Sequence, residues 1–230
     1  MAYDENRKSW VAVDCLVLGY DIESKSINVL SFMRQVDPFA GQWSLIGEFI
    51  NEEEDIDDAA KRVLEKYTGL NDVFLEQIRV YGNTNRDPAG RVISILYWSL
   101  IKLDDIHKDI VNKHGAQWFS VGDLPKMVLD HGEMIDFGRD YLLSKAKNTP
   151  LGFELLPQKF TLPQLLNLYE AIYGKALDDR NFRKKMLSTE LLQRLDEKDK
   201  SSSKKGAFLY EFNQEKYHEL MSKGYHLELV

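Results

Sequence analysis

Residues 43–70, WSLIGEFINEEEDIDDAAKRVLEKYTGL, constrain the fold more than any other stretch. They open as a strand ending at Ile46–Gly47, with Leu45 the last clear apolar residue. Asn51, Glu52, Glu53 and Glu54 then make an acidic loop. The spacing predicts a helix from Ile56 to Tyr67. Asp55 is placed to cap it, and Asp57 and Asp58 in its first turn complement the helix dipole. Ile56, Ala59, Ala60, Val63 and Leu64 recur at helical spacing and mark the buried face. Gly69 stands where a helix stops.

Strand, acidic loop, helix and glycine stop together resemble the Nudix box. In that family a glycine-rich loop leads to a glutamate, then seven residues later to Arg-Glu, then to a Glu-Glu pair and a glycine. Aligned on Leu45, Arg62 and Gly69, Glu54 takes the place of the first glutamate and Arg62 that of the arginine. The three helical glutamates fall on Val63, Lys66 and Tyr67, at i, i+3 and i+4 on one helix face. Magnesium needs carboxylate oxygens there to be held against a pyrophosphate. An alkyl group, an ammonium and a phenol stand in their place. Glu65 is no substitute, because two residues past Val63 it points to roughly the opposite face at about 100° per residue. Sliding the register back by one gives Glu65 a glutamate position but puts Thr68 on the glycine. The loop Gly-Gly of the family reads Gly47-Glu48 here. The resemblance implies a Nudix fold. The departures imply no metal site, no catalytic residues, no cofactor and no Nudix hydrolysis.

Around the box, Val11–Tyr20, Ile27–Met33, Leu70–Tyr81 and Arg91–Ile101 read as strands, and a helix is expected around Met134–Lys145. That order gives the α/β/α sandwich of a Nudix domain. The loop Gly82–Arg91 resembles a segment of Nudix proteins related to ADP-ribose and sugar-nucleotide enzymes, matched at Asp87, Pro88, Gly90 and Arg91; a tight hairpin turn is the other reading. Ala116–His131 resembles a stretch of the transcription-factor branch, with His131 either a hydrogen-bonded structural histidine or a ligand contact. No run of about 18 apolar residues predicts a membrane span. The N-terminal MAYDENRKSWVAVD lacks the apolar segment of a signal peptide. The single cysteine, Cys15, lies in an apolar strand and reads as a core residue, which suits a reducing cytoplasm.

Charge separates the chain into parts. Residues 1–150 hold 17 Lys and Arg against 25 Asp and Glu, while residues 180–205 hold nine against four. The texture changes near 146–160, KNTPLGFELLPQKF, where a linker is expected. The expected domains are therefore 1–150 and 151–230. Thr161 can cap a helix carrying Leu162, Leu165, Leu166, Tyr169, Ile172 and Tyr173, which Gly174 ends. Asp179 can cap a second helix, RNFRKKML, with Phe182, Met186 and Leu187 inward and Arg180, Arg183 and Lys184 outward. Leu191–Leu195 and Ala207–Phe212 read as strands around a polar tip, and Asn213–Lys223 as a closing helix with Tyr217, Leu220 and Met221 inward. This is a helix-turn-helix followed by a wing. The candidate DNA contacts are Arg180, Asn181, Arg183, Lys184 and Lys185 on the helix and Lys198, Lys200, Lys204 and Lys205 at the tip.

FTLPQLLNLYEAIYGKALDDRNFRKKML resembles the C-terminal winged helix of Nudix-related transcriptional regulators. The resemblance implies a ligand-responsive regulator, a repressor that binds palindromic duplex DNA as a homodimer. VAVDCLVLGYD and FAGQWSLIGEF resemble the arabinose-responsive branch, which implies control of sugar-utilisation genes. Glu48, Glu52, Glu53 and Glu54 would crowd the cleft mouth with negative charge, which favours a neutral small sugar, L-arabinose, over a dianion. Arg34, Trp43, Glu48, Asn83, Asp87 and Arg91 are the candidate ligand contacts. The alternatives are an ADP-ribose-sensing regulator of NAD metabolism, an active Nudix pyrophosphatase, and a silent scaffold whose basic helix binds an acidic protein.

Overall fold

The computed structural model describes residues 8–200 and 205–223. The chain divides into two compact units: Met1–Gly19 with Asn28–Gly138, and Tyr20–Ile27 with Arg139–Val230.

The elements run β1 (Trp10–Asp21), β2 (Ser26–Met33), β3 (Trp43–Ser44), β4 (Ile46–Phe49), α1 (Ile56–Thr68), β5 (Glu76–Tyr81), β6 (Val92–Leu103), α2 (Asp105–Lys113), β7 (Ala116–Ser120) and α3 (His131–Asn148). Among the described residues the strands join in the order β3-β2-β1-β6-β5, with β4 on β1 and β7 on β2. β1 is central because its apolar run is buried on both faces, as such runs are when helices cover both sides. Val13, Cys15 and Val17 pack with Ala59, Ala60, Val63 and Leu64 of α1. Leu16, on the opposite face, meets α3 at Gly138, where an added Cβ would sit 2.0 Å from Leu16 Cδ2. The unit is thus the expected α/β/α sandwich.

Several local expectations need correction. Ile56 is 38% exposed, because α1 reaches the sheet only from Ala59 onward. Asp55 occupies the N-cap position but makes no side-chain capping bond. The expected single strand before the box is two, broken at Leu45, so that β3 pairs β2 and β4 pairs β1. α2 and β7 lie where no element was predicted. Gly69 does end α1 in the left-handed conformation, at φ 74°.

The second unit carries a 3-10 turn (Phe153–Leu155), β8 (Phe160–Thr161), α4 (Leu162–Tyr173), α5 (Asp179–Ser188), β9 (Leu192–Asp199), β10 (Ala207–Phe212) and α6 (Gln214–Ser222). β8, β10 and β9 form an antiparallel sheet in that order. Much of the expected linker is core instead: Phe153, Leu155, Leu156 and Phe160 are buried, and Phe153 stacks on Phe212 at 4.1 Å. Thr161 caps α4 in a reciprocal capping box with Gln164, and Gly174 closes the helix at φ 63°. The cap of α5 is Asp178, which accepts the Asn181 N–H at 2.7 Å, and Asp179 is the first helical residue. Leu187, expected inward, is 45% exposed; Phe182 and Met186 carry the buried face of α5. Asn213 accepts the Lys216 N–H at 3.0 Å and so begins α6, where Tyr217 packs on Phe212.

Candidate functional site

A cavity of 480 Å³ opens in the first unit, within the size range of small-molecule sites. Phe32, Phe39, Phe49 and Tyr67 give it aromatic walls, and Asp14, Arg34, Glu48, Asp87, Arg86 and His131 its polar groups. Arg34 follows β2, and its loop is closed by the Arg34 N–H to Gln42 O bond at 3.0 Å and the Gly41 N–H to Arg34 O bond at 2.8 Å. Its Nε is buried without a partner, and no carboxylate among the described residues pairs with its guanidinium.

Glu48 sits on β4 in a tight group of charges. Lys66 Nζ donates to its Oε1 at 2.6 Å, Tyr67 Oη to the same oxygen at 3.2 Å, and Arg62 Nη1 to its Oε2 at 2.6 Å. Burial works against the Glu48 charge, but the bonds from Lys66, Arg62 and Tyr67 outweigh it and hold the carboxyl below its ordinary range. Arg62 also grips Glu54, through Nε at 2.8 Å and Nη2 at 2.6 Å. That bond from Arg62, with the Asn51 N–H, lowers the Glu54 carboxyl to about 2. Gly47, beside Glu48, lies opposite Asp14 in the β1–β4 ladder. A Cβ there would fall 2.1 Å from Asp14 Oδ1 and 2.9 Å from the Val13 carbonyl, so only glycine fits.

Beneath the cavity lies a buried polar network. Arg86 donates to Asp130 through Nε at 2.9 Å and Nη2 at 2.7 Å, and stands 3.8 Å from Asp14 Oδ2. Ser94 Oγ donates to the same Asp14 oxygen. His131 Nδ1 accepts the Leu45 N–H at 2.9 Å, which places its proton on Nε2, facing Asp14 Oδ1 at 3.7 Å. Burial pushes the His131 imidazole down from its ordinary value, so it is neutral. His131 is thus the hydrogen-bonded structural histidine of the first reading, and it also stands among the residues that line the cavity.

Of the six predicted ligand contacts, Arg34, Glu48 and Asp87 line this cavity. Trp43 does not; it packs edge-on against Phe119 at 4.7 Å. Asn83 faces a separate depression, and its Oδ1 shapes its own turn by accepting the Asn85 N–H. Arg91 clamps the loop ends, donating to Gly82 O at 2.7 Å and Asn83 O at 3.3 Å. Asp87 also shapes the turn, accepting the Ala89 N–H at 2.8 Å. Sequence reading missed Asp14 and Arg86. Asp14 carried a usable signal, a lone carboxylate inside an apolar strand, since buried charges are kept only with partners. Arg86 had none beyond its place before Asp87-Pro88.

No group of three or more His, Cys, Asp or Glu among the described residues is arranged to hold a metal ion. The box positions do not fit a divalent cation: Val63 is buried in the core, and Lys66 and Tyr67 donate to Glu48. Cys15 is a core residue whose Sγ lies 3.6 Å from Ala60 O, and burial pushes its thiol up. No helix among the described residues is long and apolar enough to cross a membrane.

In the second unit, α5 turns Phe182 and Met186 inward. Arg180, Asn181, Lys184 and Lys185 are exposed. At about 100° per residue, Arg180 and Lys184 lie opposite the buried face, and Arg183 lies on its flank. Arg183 Nε is engaged by Asp179 Oδ1 at 2.6 Å. On the β9–β10 hairpin, Arg194 and Lys198 lie over the Phe208 ring at 3.7 and 4.3 Å. Lys200 and Lys205 are exposed, and Lys204 lies outside the described residues.

Residues 8–137 match the NUDIX domain, and residues 152–212 match the NrtR DNA-binding winged helix domain. The chain is 30% identical over 203 residues to the ADPR responsive transcriptional repressor NtrR of Acinetobacter baylyi, covering 86% of this chain and 80% of that protein. It is 31% identical over 137 residues to an ADP-ribose pyrophosphatase of Methanocaldococcus jannaschii, covering 57% of this chain and 72% of that one. The crystal structure of Shewanella oneidensis NrtR complexed with a 27mer DNA superposes with a TM-score of 0.74 at 24% identity, over 94% of this chain and 97% of the other, and so shares the fold. The arabinose-responsive branch has no support among these relatives. The chain belongs to the Nudix family, in the NrtR-type arrangement that joins a Nudix domain to a C-terminal winged helix domain.

Proposed function

We propose that the chain is a transcriptional repressor whose Nudix domain senses ADP-ribose and whose winged helix binds operator DNA. The observation that carries this reading is the match to an ADPR responsive repressor across 86% of the chain, through both domains. The cavity supports it. Arg34 lines the cavity with its Nε unpartnered, and a guanidinium there suits a pyrophosphate. Phe32, Phe39 and Phe49 offer faces for a base, and Asp14 and Asp87 offer acceptors for ribose hydroxyls.

This replaces L-arabinose as the effector. The sugar was favoured because Glu48, Glu52, Glu53 and Glu54 were expected to repel a dianion. Of these four, only Glu48 lines the cavity, and its charge is met by Arg62 and Lys66; Glu54 is met by Arg62. In calorimetry, ADP-ribose is expected to bind and free arabinose to give no heat. Arg34→Ala is expected to weaken ADP-ribose by about tenfold to a hundredfold, the range for one charge-assisted hydrogen bond of about 1.5–3 kcal/mol. For the ligand to release DNA it must bind the DNA-free arrangement more tightly, so saturating ADP-ribose is expected to lower operator affinity. Arabinose binding with no heat from ADP-ribose would overturn the choice of effector.

Hydrolysis is the competing activity, since one relative is an ADP-ribose pyrophosphatase. With Lys66 and Tyr67 at the carboxylate positions of the box, the chain is expected to release no AMP from ADP-ribose with magnesium or manganese. Turnover above a buffer blank that Glu54→Gln abolishes would contradict this.

A further inference from the structure

Three of the four departures from the Nudix box meet at one carboxylate, Val63 being buried in the core. The second residue of the loop Gly-Gly is Glu48, and two box glutamates are Lys66 and Tyr67. Both donate to Glu48 Oε1, at 2.6 and 3.2 Å. Arg62 takes Glu48 Oε2 at 2.6 Å and both oxygens of Glu54, at 2.6 and 2.8 Å. Two carboxylates face two cations, and all four of their oxygens accept a donor. A divalent ion entering here would find no charge to neutralise and would meet the Lys66 ammonium. Glu48 and Tyr67 line the cavity and Lys66 and Arg62 do not, so the group reaches the ligand through its neutralised carboxylate. The edge-to-face contact of Tyr67 with Phe32, at 5.1 Å, fixes that wall.

We propose that this cluster is a built-in replacement for the divalent cation of the box: it neutralises the carboxylates beside the ligand's phosphates, so an anionic nucleotide binds this chain without any divalent ion. Lys66 is a positioning residue in this scheme, acting on the ligand through Glu48. The inference rests on the ADP-ribose reading for its ligand, but not for its exclusion of metal.

The full chain is titrated with ADP-ribose in EDTA, in magnesium and in manganese. The dissociation constants are expected to agree within about twofold; a tenfold loss in EDTA overturns the proposal. Lys66→Glu turns the cluster into three carboxylates around one arginine. Its affinity is expected to fall about tenfold or more in EDTA and to recover in magnesium or manganese, whereas Lys66→Gln is weakened without metal rescue. Unchanged affinity of Lys66→Glu in EDTA, or a loss that metal does not repair, counts against the cluster's role. Manganese alone, followed by electron paramagnetic resonance, supplies the arm that needs no nucleotide. The wild-type chain is expected to show no saturable binding and Lys66→Glu to show it; saturable binding by the wild type removes the proposal. Absence of ADP-ribose heat under every condition would remove the choice of effector alone, and the manganese titration would still decide on the cluster.

Discussion

Arg86→Ala is expected to cost about 3–5 kcal/mol of folding stability, the range for breaking one partner out of a buried ion pair. The Arg86 side chain is 3% exposed and those of Asp130 and Asp14 are 14% and 8%. Both carboxylates look to this guanidinium, Asp130 through two short bonds and Asp14 at 3.8 Å. With Arg86 in place, burial lowers the pKa of the neighbouring His131, so Arg86 is the cation that meets these carboxylates. The variant would leave Asp130 without its ion-pair partner, and Asp14 with the Ser94 hydroxyl but no guanidinium beside it. Urea unfolding measures the loss, followed by a probe in the Nudix unit, since two units need not unfold together. Arg86→Leu with Asp130→Leu is expected to recover part of the loss by replacing the pair with apolar contact. A loss under about 1 kcal/mol for Arg86→Ala would place the pair among weak surface ion pairs and would be inconsistent with its burial.

How far the sequence spoke depended on the range of the interaction. Local signals served well. The α1 stripe from Ala59 to Leu64, the Gly69 stop, and the Thr161 cap with Gly174 at the other end of α4 are matters of residues three or four apart. The same holds for β10, read from AFLYEF alone. α2 was missed because DIHKDIVNK is short and offers only Ile106, Ile110 and Val111 as an apolar stripe. The break at Leu45 goes with a contact that no local signal displays: His131, 86 residues later, accepts the Leu45 N–H. The site divided along the same line. Arg34, Glu48 and Asp87 were reachable as polar residues near the box and the loop. Trp43, Asn83 and Arg91 sit on the same segments but face elsewhere, and a residue's facing depends on strand pairing that the sequence does not display. The charge argument for a neutral effector failed for a related reason. It counted the glutamates and could not see that Arg62 and Lys66 already held Glu48 and Glu54.

Arg180→Ala with Lys184→Ala is expected to weaken operator DNA by roughly 3 kcal/mol, about a hundredfold, taking about 1–3 kcal/mol for each side chain that reads a base. These two residues are exposed on α5, opposite the Phe182 and Met186 face that fixes the helix in the unit. Arg183 shares the segment but not the geometry. It lies on the flank and its Nε is held by Asp179 Oδ1 at 2.6 Å, so part of its charge is already met and only its Nη groups remain for DNA. Arg183→Ala alone should therefore cost less than the pair. Asp179→Ala should raise affinity, since it frees a guanidinium and removes a negative charge from a surface that approaches phosphates. Lys200→Ala with Lys205→Ala, at the exposed ends of the wing, should weaken operator and scrambled DNA alike. Each phosphate left without its lysine there should flatten the salt dependence of log K by about 0.9. Two chains are expected on a palindrome with half-site centres about 34–36 Å apart or a multiple of that, because one winged helix offers a small footprint. Fluorescence anisotropy at several salt concentrations separates these effects, with the DNA upstream of the chain's own gene as operator and a scrambled duplex as control. Full operator affinity in the Arg180, Lys184 double variant, with the wing variant also unaffected, would remove α5 and the wing as the DNA-reading surface.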